Sequence, residues 1–249
     1  MKWYESIEKP IIGLSPMLGY SNSSLRQKSI EYGADVVYTE MIPVEAIIRR
    51  IPKSFEMMKF SKHERPIVVQ IFSSNPSSTA KAVKLIEKEI KPDGIDLNFG
   101  CPVQKASKQG FGSILLSDPK KSEQIIKSAI GSSSIPITIK MRLPSTDLKE
   151  NISFIRMIEN TGIELICIHA RTATQKYKGS ADWKMLHNIK SEFSDLIILG
   201  NGDIKSGHDL IEKIGNLDGA LIGRQAKINP KIFLELKESK KFISAQLSR

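Results

Sequence analysis

A chain of 249 residues with 40% hydrophobic and 26% charged residues has an ordinary globular composition and length enough for a sizeable core. No apolar run approaches the roughly 18 residues of a membrane-spanning helix, and the opening "MKWYESIEKP" has neither the apolar stretch nor the cleavage site of a secretory signal. The net charge of +10 favours a polyanionic partner such as nucleic acid, with solubilising lysines as the bland alternative. Two cysteines without a signal set aside a disulfide framework and make a reducing cytoplasm the expected compartment.

Short β-branched runs alternate with helix-like stretches along the chain. "PIIGLS" (10–15) precedes a helix from about Asn22 to Tyr32, and "ADVVYTEM" (34–41) precedes "PVEAIIRRI". "PIVVQIFS" (66–73) precedes "PSSTAKAVKLIEKEI", whereas "GIDLNFG" (94–100) reaches "DPKKSEQIIKSAI" only after a long polar loop. "PITIKMRL" (136–143), "LICIHART" (165–172), "LIILGNGD" (196–203) and "GALIGRQA" (219–226) each lead into one further helical pattern. The runs are nearly all apolar, as in a parallel sheet covered on both faces, and Ser, Asp, Asn or Pro marks the helix starts. Eight such units predict an α/β fold, a (β/α)8 TIM barrel forming one domain over residues 1–249, with an open doubly wound sheet as the alternative.

A barrel of this kind carries its site at the C-terminal ends of its strands. There the predicted strands present Pro16 and Met17, Gln70, Asn98 and Cys101, Lys140 and Arg142, His169 and Arg171, Asn201 and Asp203, then Gly223 and Arg224. Seven strands that each end in a polar or charged group describe a lined pocket better than they describe packing. The loops "GNGDIKSG", with Gly202, and "IGRQAKINP" resemble in position the phosphate cradle of barrels, and Arg224 adds a charge-assisted contact there. Lys140 and His169 lie on neighbouring strands and face inward by alternation. They can hold an anionic, hydrogen-bonding ring such as a reduced flavin, or be a snorkelling lysine and a satisfied core histidine. His63, His169, His187 and His208 share no ligand spacing and no C-x-x-C is present, so no metal is expected.

The two cysteines differ in setting. Cys167, inside "LICIH", reads as core filler. Cys101 stands between Gly100 and Pro102 with Lys105 and Lys108 close behind, a setting that suits proton transfer or attack on an electrophile. Gly110 and Gly112 would let a flexible loop carry the thiol to a substrate.

"DLNFGCPVQKASKQGFGSILLSDP" resembles the catalytic loop of the dihydrouridine synthases, flavoenzymes that reduce uridine in transfer RNA. The likeness runs along almost the whole chain, through "PIIGLSPMLGYSNSSLR", "PIVVQIF", "ITIKMRL", "LGNGDI" and "LIGRQAKINP". It is most particular in "IHARTATQKYKGSADW". The resemblance implies FMN at the barrel mouth, with Pro16, Met17, Gln70, Lys140 and His169 at the ring and Asn201, Gly202, Asp203, Gly223 and Arg224 at the phosphate end. It implies NADPH or NADH as reductant, hydride transfer from the flavin to C6 of a flipped uracil, and a proton from Cys101 to C5. Asn98 and Arg171 would hold the uracil, and Lys105 and Lys108 would meet the RNA.

Three departures from the family pattern stand out. The usual C-terminal helical RNA-binding domain is expected to be lacking after Arg249, so an oligomer or helper protein would have to supply that grip. Ala173 stands where an Arg is common, and Gln225 replaces a small residue in the phosphate loop. Two other readings remain at this point: a flavin barrel acting on a free pyrimidine, as dihydroorotate dehydrogenases do, and a flavin- or RNA-binding module with weak catalysis.

Overall fold

The apolar runs are extended because β-branched side chains pack well on a pleated, doubly covered sheet. A computed structural model describes residues 2–247, apart from the side chains of Lys105, Ser107, Gln246 and Leu247. In chain order the elements are β1 (Ile11–Leu14), α1 (Ser23–Glu31), β2 (Val36–Tyr38), β3 (Ile42–Pro43), α2 (Val44–Ile48), α3 (Pro52–Met58), β4 (Ile67–Phe72) and α4 (Pro76–Glu89). Next come β5 (Gly94–Phe99), α5 (Gln104–Lys108), α6 (Pro119–Ile130), β6 (Ile137–Leu143), α7 (Leu148–Glu159), β7 (Leu165–Thr172) and α8 (Trp183–Ser191). Then follow β8 (Ile197–Asn201), α9 (Gly207–Ile214), β9 (Gly219–Ile222), α10 (Arg224–Ile228) and α11 (Ile232–Leu247). Every pairing is parallel, in the order β2-β1-β9-β8-β7-β6-β5-β4, and a β2–β4 pairing of Val37 with Ile67 closes the ring. The fold is the expected eight-stranded parallel barrel, with the two-residue β3 added beside β4.

Two cores hold it together. Residues alternating outward, such as Ile12, Val37, Val69, Ile95, Ile139 and Ile166, pack under the helices. Residues alternating inward at the N-terminal end, including Ile11, Val36, Val68, Leu165, Leu199 and Leu221, fill the barrel and are covered by Trp3 and Tyr4. Six helix starts carry side-chain caps: Asn22, Asn75, Asp118, Asp147, Asp182 and Ser206 each accept an N–H three residues on, at 2.9–3.1 Å. Each such cap stabilises its helix by about 1 kcal/mol.

The predicted bounds fail where chain geometry overrides composition. "ADVVYTEM" yields only three residues of β2, and the pairing moves on to β3. The run predicted as strand through Asp203 stops at Asn201, because Gly202 (φ +125°) and Asp203 (φ +55°) turn the chain left-handed. The last strand stops at Ile222, and residues 224–226, read as strand, begin α10. The helices α3, α5 and α10 were not foreseen, being one or two turns long and too short to show a period.

Candidate active site

The inward positions beyond the apolar plug are polar, and they open onto a cavity of about 520 Å³ at the C-terminal ends of the strands. Its lining includes Pro16, Met17, Gln70, Asn98, Cys101, Lys140, His169, Asn201, Gly202, Asp203, Gly223 and Arg224. The sequence had singled out all twelve. The cavity is also lined by Arg142, which the sequence placed at the mouth without a specific contact, by Tyr177, which it noted only within a family stretch, and by Tyr20 and Lys227. Lys108 is exposed and outside the lining, and the side chain of Lys105 lies outside the described ones.

A chain of buried hydrogen bonds underlies the cavity floor. Asp96 accepts from Thr138 Oγ1 at 2.6 Å and from Gln70 Nε2 at 2.8 Å. Gln70 Oε1 accepts from Asn98 Nδ2 at 2.9 Å, and Asn98 Oδ1 accepts the N–H of Cys101 at 3.0 Å and of Gly100 at 3.2 Å. Burial pushes the Asp96 carboxyl up to about 6, against the hydrogen bonds from Thr138 and Gln70 and the nearby charge of Lys140. Sequence reasoning missed Asp96, although alternation on β5 puts it on the same inward face as Asn98.

Lys140 is desolvated, which holds its ammonium below the usual lysine range, and it donates to Asn201 Oδ1 at 3.1 Å. His169 is pushed down to about 2, first by burial and then by Lys140, Arg142, Arg171 and Arg224 around it. It is therefore a neutral ring. Arginine can only donate, so the 3.3 Å contact of Arg171 Nη1 with His169 Nε2 leaves the ring proton on Nδ1, which has no hydrogen-bond partner among the described residues.

Arg171, expected at the edge of a base, is placed otherwise. The β6–β7 register shifts after the Arg142–His169 pair, so that Leu143 pairs with Thr172 and two residues of β7 bulge. Arg171 is 2% exposed, outside the cavity lining, and all five of its N–H groups are engaged. They reach Lys178 O at 3.3 Å, Gly179 O at 2.6 Å, Asp203 Oδ1 at 3.1 Å, Asp203 Oδ2 at 2.5 Å and His169 Nε2. It ties the segment after β7 to the one after β8. Arg142 faces the cavity instead: it donates to Gly100 O, Thr172 O and Lys176 O, and its Nη2 makes no hydrogen bond among the described residues. Tyr177 packs over the guanidinium groups of Arg142 (5.5 Å) and Arg224 (4.8 Å).

At the glycine-bearing corner, burial opposes ionisation of Asp203. Hydrogen bonds from Arg171 and the Ala181 N–H, with the charges of Arg171 and Arg224, outweigh it and hold the carboxyl below the usual range. Among the described residues that line the cavity, Asp203 is the one carboxylate, against Lys140, Arg142, Lys205, Arg224 and Lys227. A cavity of this size with a surplus of cations and unpaired donors (Arg142 Nη2, His169 Nδ1) suits a planar, carbonyl-bearing ring that carries a phosphate.

The loop after β5 is tied at its root. Ser113 donates both its N–H and its Oγ to the Cys101 carbonyl, each at 3.0 Å. Gly112 takes φ +74°, and a Cβ there would lie 2.7 Å from that carbonyl, so only glycine permits the closure. Phe111 stacks on Phe72 at the end of β4, with ring centroids 4.1 Å apart. The flexibility expected from these glycines is, at Gly112, a close-packing requirement. Cys167, by contrast, is 1% exposed inside the barrel, and burial pushes its thiol up to about 12.

The fold and its mouth define a (β/α)8 barrel with a cationic ligand cavity at the C-terminal ends of its strands. Solved barrels with little sequence likeness share that fold. Histamine dehydrogenase from Rhizobium sp. 4-9 has a TM-score of 0.67 at 14% identity, covering 96% of this chain and 48% of its own. A 2-naphthoyl-CoA reductase has 0.67 at 12%, covering 92% and 50%. The family described as dihydrouridine synthase (Dus) matches residues 13–247, and the chain belongs to it. A probable tRNA-dihydrouridine synthase of Aquifex aeolicus is 36% identical over 242 residues, 94% of this chain and 75% of that protein. One of Mycobacterium tuberculosis is 32% identical over 243 residues, where the chain spans 62% of the relative's length. An Arabidopsis thaliana protein named tRNA-dihydrouridine(47) synthase [NAD(P)(+)]-like is 32% identical over 232 residues, 34% of its length. Among the described residues no three His, Cys, Asp or Glu are grouped to hold a metal, and no helix is long and apolar enough to cross a membrane.

Proposed function

We propose that this protein reduces the C5=C6 bond of a uridine in RNA, most simply transfer RNA, to dihydrouridine, with Cys101 delivering the proton to C5. The observation that carries the reading is the placement of Cys101 at the cavity edge, its N–H held by Asn98 and its carbonyl by Ser113. A thiol so presented is aimed without being buried.

FMN, reduced by NADPH or NADH, supplies the hydride for C6 when bound. Gln70, Lys140 and His169 would hold its ring: the neutral His169 offers the Nδ1 proton, and Lys140 offers positive charge where the ring becomes anionic. Gly202, Gly223 and Arg224 would take the phosphate end, Arg224 exchanging part of its pairing with Asp203 for phosphate oxygens. Met17 and Pro16 would border the ring from the first loop. Arg142 and the Asn98 amide group would meet the base. The target uridine must leave its stack to enter a cavity at the ends of the barrel strands, and the surplus of lysines follows the RNA backbone. The free thiols suit a reducing cytoplasm as the place of action.

The test is the visible spectrum of the purified protein together with dihydrouridine formation on unmodified transfer RNA supplied with NADPH or NADH. Oxidised-flavin peaks and new dihydrouridine are expected. A colourless protein that takes up no FMN, or turnover of dihydroorotate with the RNA untouched, overturns the reading.

A further inference from the structure

We infer that Asp96 is a positioning residue for the proposed reaction: its carboxylate sets which way the Gln70 and Asn98 amides face, and through them holds the backbone of Cys101. The inference rests on Cys101 being the proton donor, and it concerns a residue that does not itself line the cavity.

The logic is one of polarity. Asp96 is 1% exposed, and an ionised carboxylate only accepts hydrogen bonds. Its Oδ2 therefore requires Gln70 to turn its NH2 inward, at 2.8 Å. That leaves Gln70 Oε1 facing Asn98, whose Nδ2 must donate to it, at 2.9 Å. Asn98 Oδ1 then points at the loop and accepts the N–H groups of Gly100 and Cys101. A reversed Gln70 would set its carbonyl against the carboxylate and drive Asn98 to present N–H groups to two other N–H groups. An amide's oxygen and nitrogen ends have nearly the same shape, so packing alone does not choose between the two orders. The acceptor-only group at the root of the column does, in agreement with the two donor-only N–H groups at its far end.

A purely structural role would favour an apolar residue here. A carboxylate deep in a barrel is costly to desolvate; the side chains that bond it, Thr138 and Gln70, are uncharged, and the nearby charge of Lys140 offsets the burial only in part. Together with Ser113, which holds the Cys101 carbonyl, the column fixes both ends of the residue proposed to touch the base.

Backbone amide exchange, followed by mass spectrometry on the full chain, reads the column without relying on turnover. Asp96→Leu and Gln70→Leu are expected to speed exchange at Gly100 and Cys101 about ten-fold or more, with α6 and α7 unchanged. Asp96→Asn is expected to keep protection within about three-fold of wild type, because its oxygen still accepts from Gln70 while the Thr138 hydroxyl rotates to accept from its NH2. Unchanged exchange at Cys101 in Asp96→Leu overturns the inference, as does a rise spread evenly over the barrel, or Asp96→Asn matching Asp96→Leu. If Asp96→Leu does not fold, Gln70→Leu against Asp96→Asn decides by the same criteria. Turnover by a Cys101→Ala variant tests the donor role separately, and full activity there would leave the exchange result standing.

Discussion

The two ends of the barrel interior are made from the same eight strands and differ only in what alternates inward. At the N-terminal end Ile11, Val36, Val68, Leu165, Leu199 and Leu221 lie under Trp3 and Tyr4, all of them buried. Further along the same strands the inward positions become Gln70, Asn98, Lys140, His169 and Asn201. One end gains free energy by leaving water. The other holds a desolvated lysine and a histidine kept neutral first by burial and then by four neighbouring cations. The difference teaches that the plug supplies stability which the mouth gives up in order to present unpaired donors.

The sharpest way to separate the two ends is at Cys101. Cys101→Ala is expected to keep bound flavin and the wild-type melting temperature while losing dihydrouridine formation by about 10³-fold, the range of a lost general acid. Single-turnover assays beside a visible spectrum check it, and full activity would sink the donor role. The converse belongs to the plug. Trp3→Ala removes a buried indole that covers the barrel's N-terminal end and is expected to lower stability by about 3 kcal/mol. Activity per folded molecule should stay at wild type. Denaturant titration and an assay normalised to flavin content test both halves, and an effect on rate rather than stability would break the division.

The plug was the less legible of the two ends. β-branched runs and Asn, Asp or Ser caps announce the strands and helices, and the polar residues ending each run announce the mouth. Trp3 and Tyr4 precede the first strand in a segment with no periodicity, so nothing local marks them as a lid. Arg171 was misplaced because a two-residue bulge in β7 re-aims it, and the bulge exists only in the β6–β7 register. Tyr177 is held by Arg142 of β6 and Arg224 at the start of α10, a tertiary contact without a sequence pattern. Asp96 sits in a run otherwise read as buried strand, where only its hydrogen bonds to β4 and β6 reveal what it does.

Asp96 lies where the apolar and polar layers meet, and its pH dependence probes that boundary. Its folded-state value, about 6, is raised above the ordinary carboxylate value, so between roughly pH 4 and 6 the native state binds the proton that the unfolded chain has released. Its contribution to stability is therefore full below about pH 4 and is lost as pH rises through 6. Relative to Asp96→Asn, the wild type should lose on the order of 2 kcal/mol between pH 4.5 and 7.5. The comparison cancels the opposite trend of carboxyls such as Glu64 and Asp218, which are held low and lose their contribution on acidification. A difference that does not vary with pH in denaturant titrations would place Asp96 in a wetter site than its burial indicates.

The smallest effect concerns the second cysteine, which is buried on the other side of that boundary. Cys167 is inward-facing on β7, packed with Leu199 and Leu221, and burial disfavours its thiolate. Cys101 is partly exposed at the cavity edge. Iodoacetamide should therefore modify Cys101 alone in the native protein and both cysteines after denaturation. Cys167→Ala removes one buried sulfur from the inward-facing cluster that includes Leu199 and Leu221. A loss of about 1 kcal/mol is expected, with turnover unchanged. A larger loss, or a fall in turnover, would mean that the boundary layer transmits packing to the mouth, and the two ends would then have to be read as one unit.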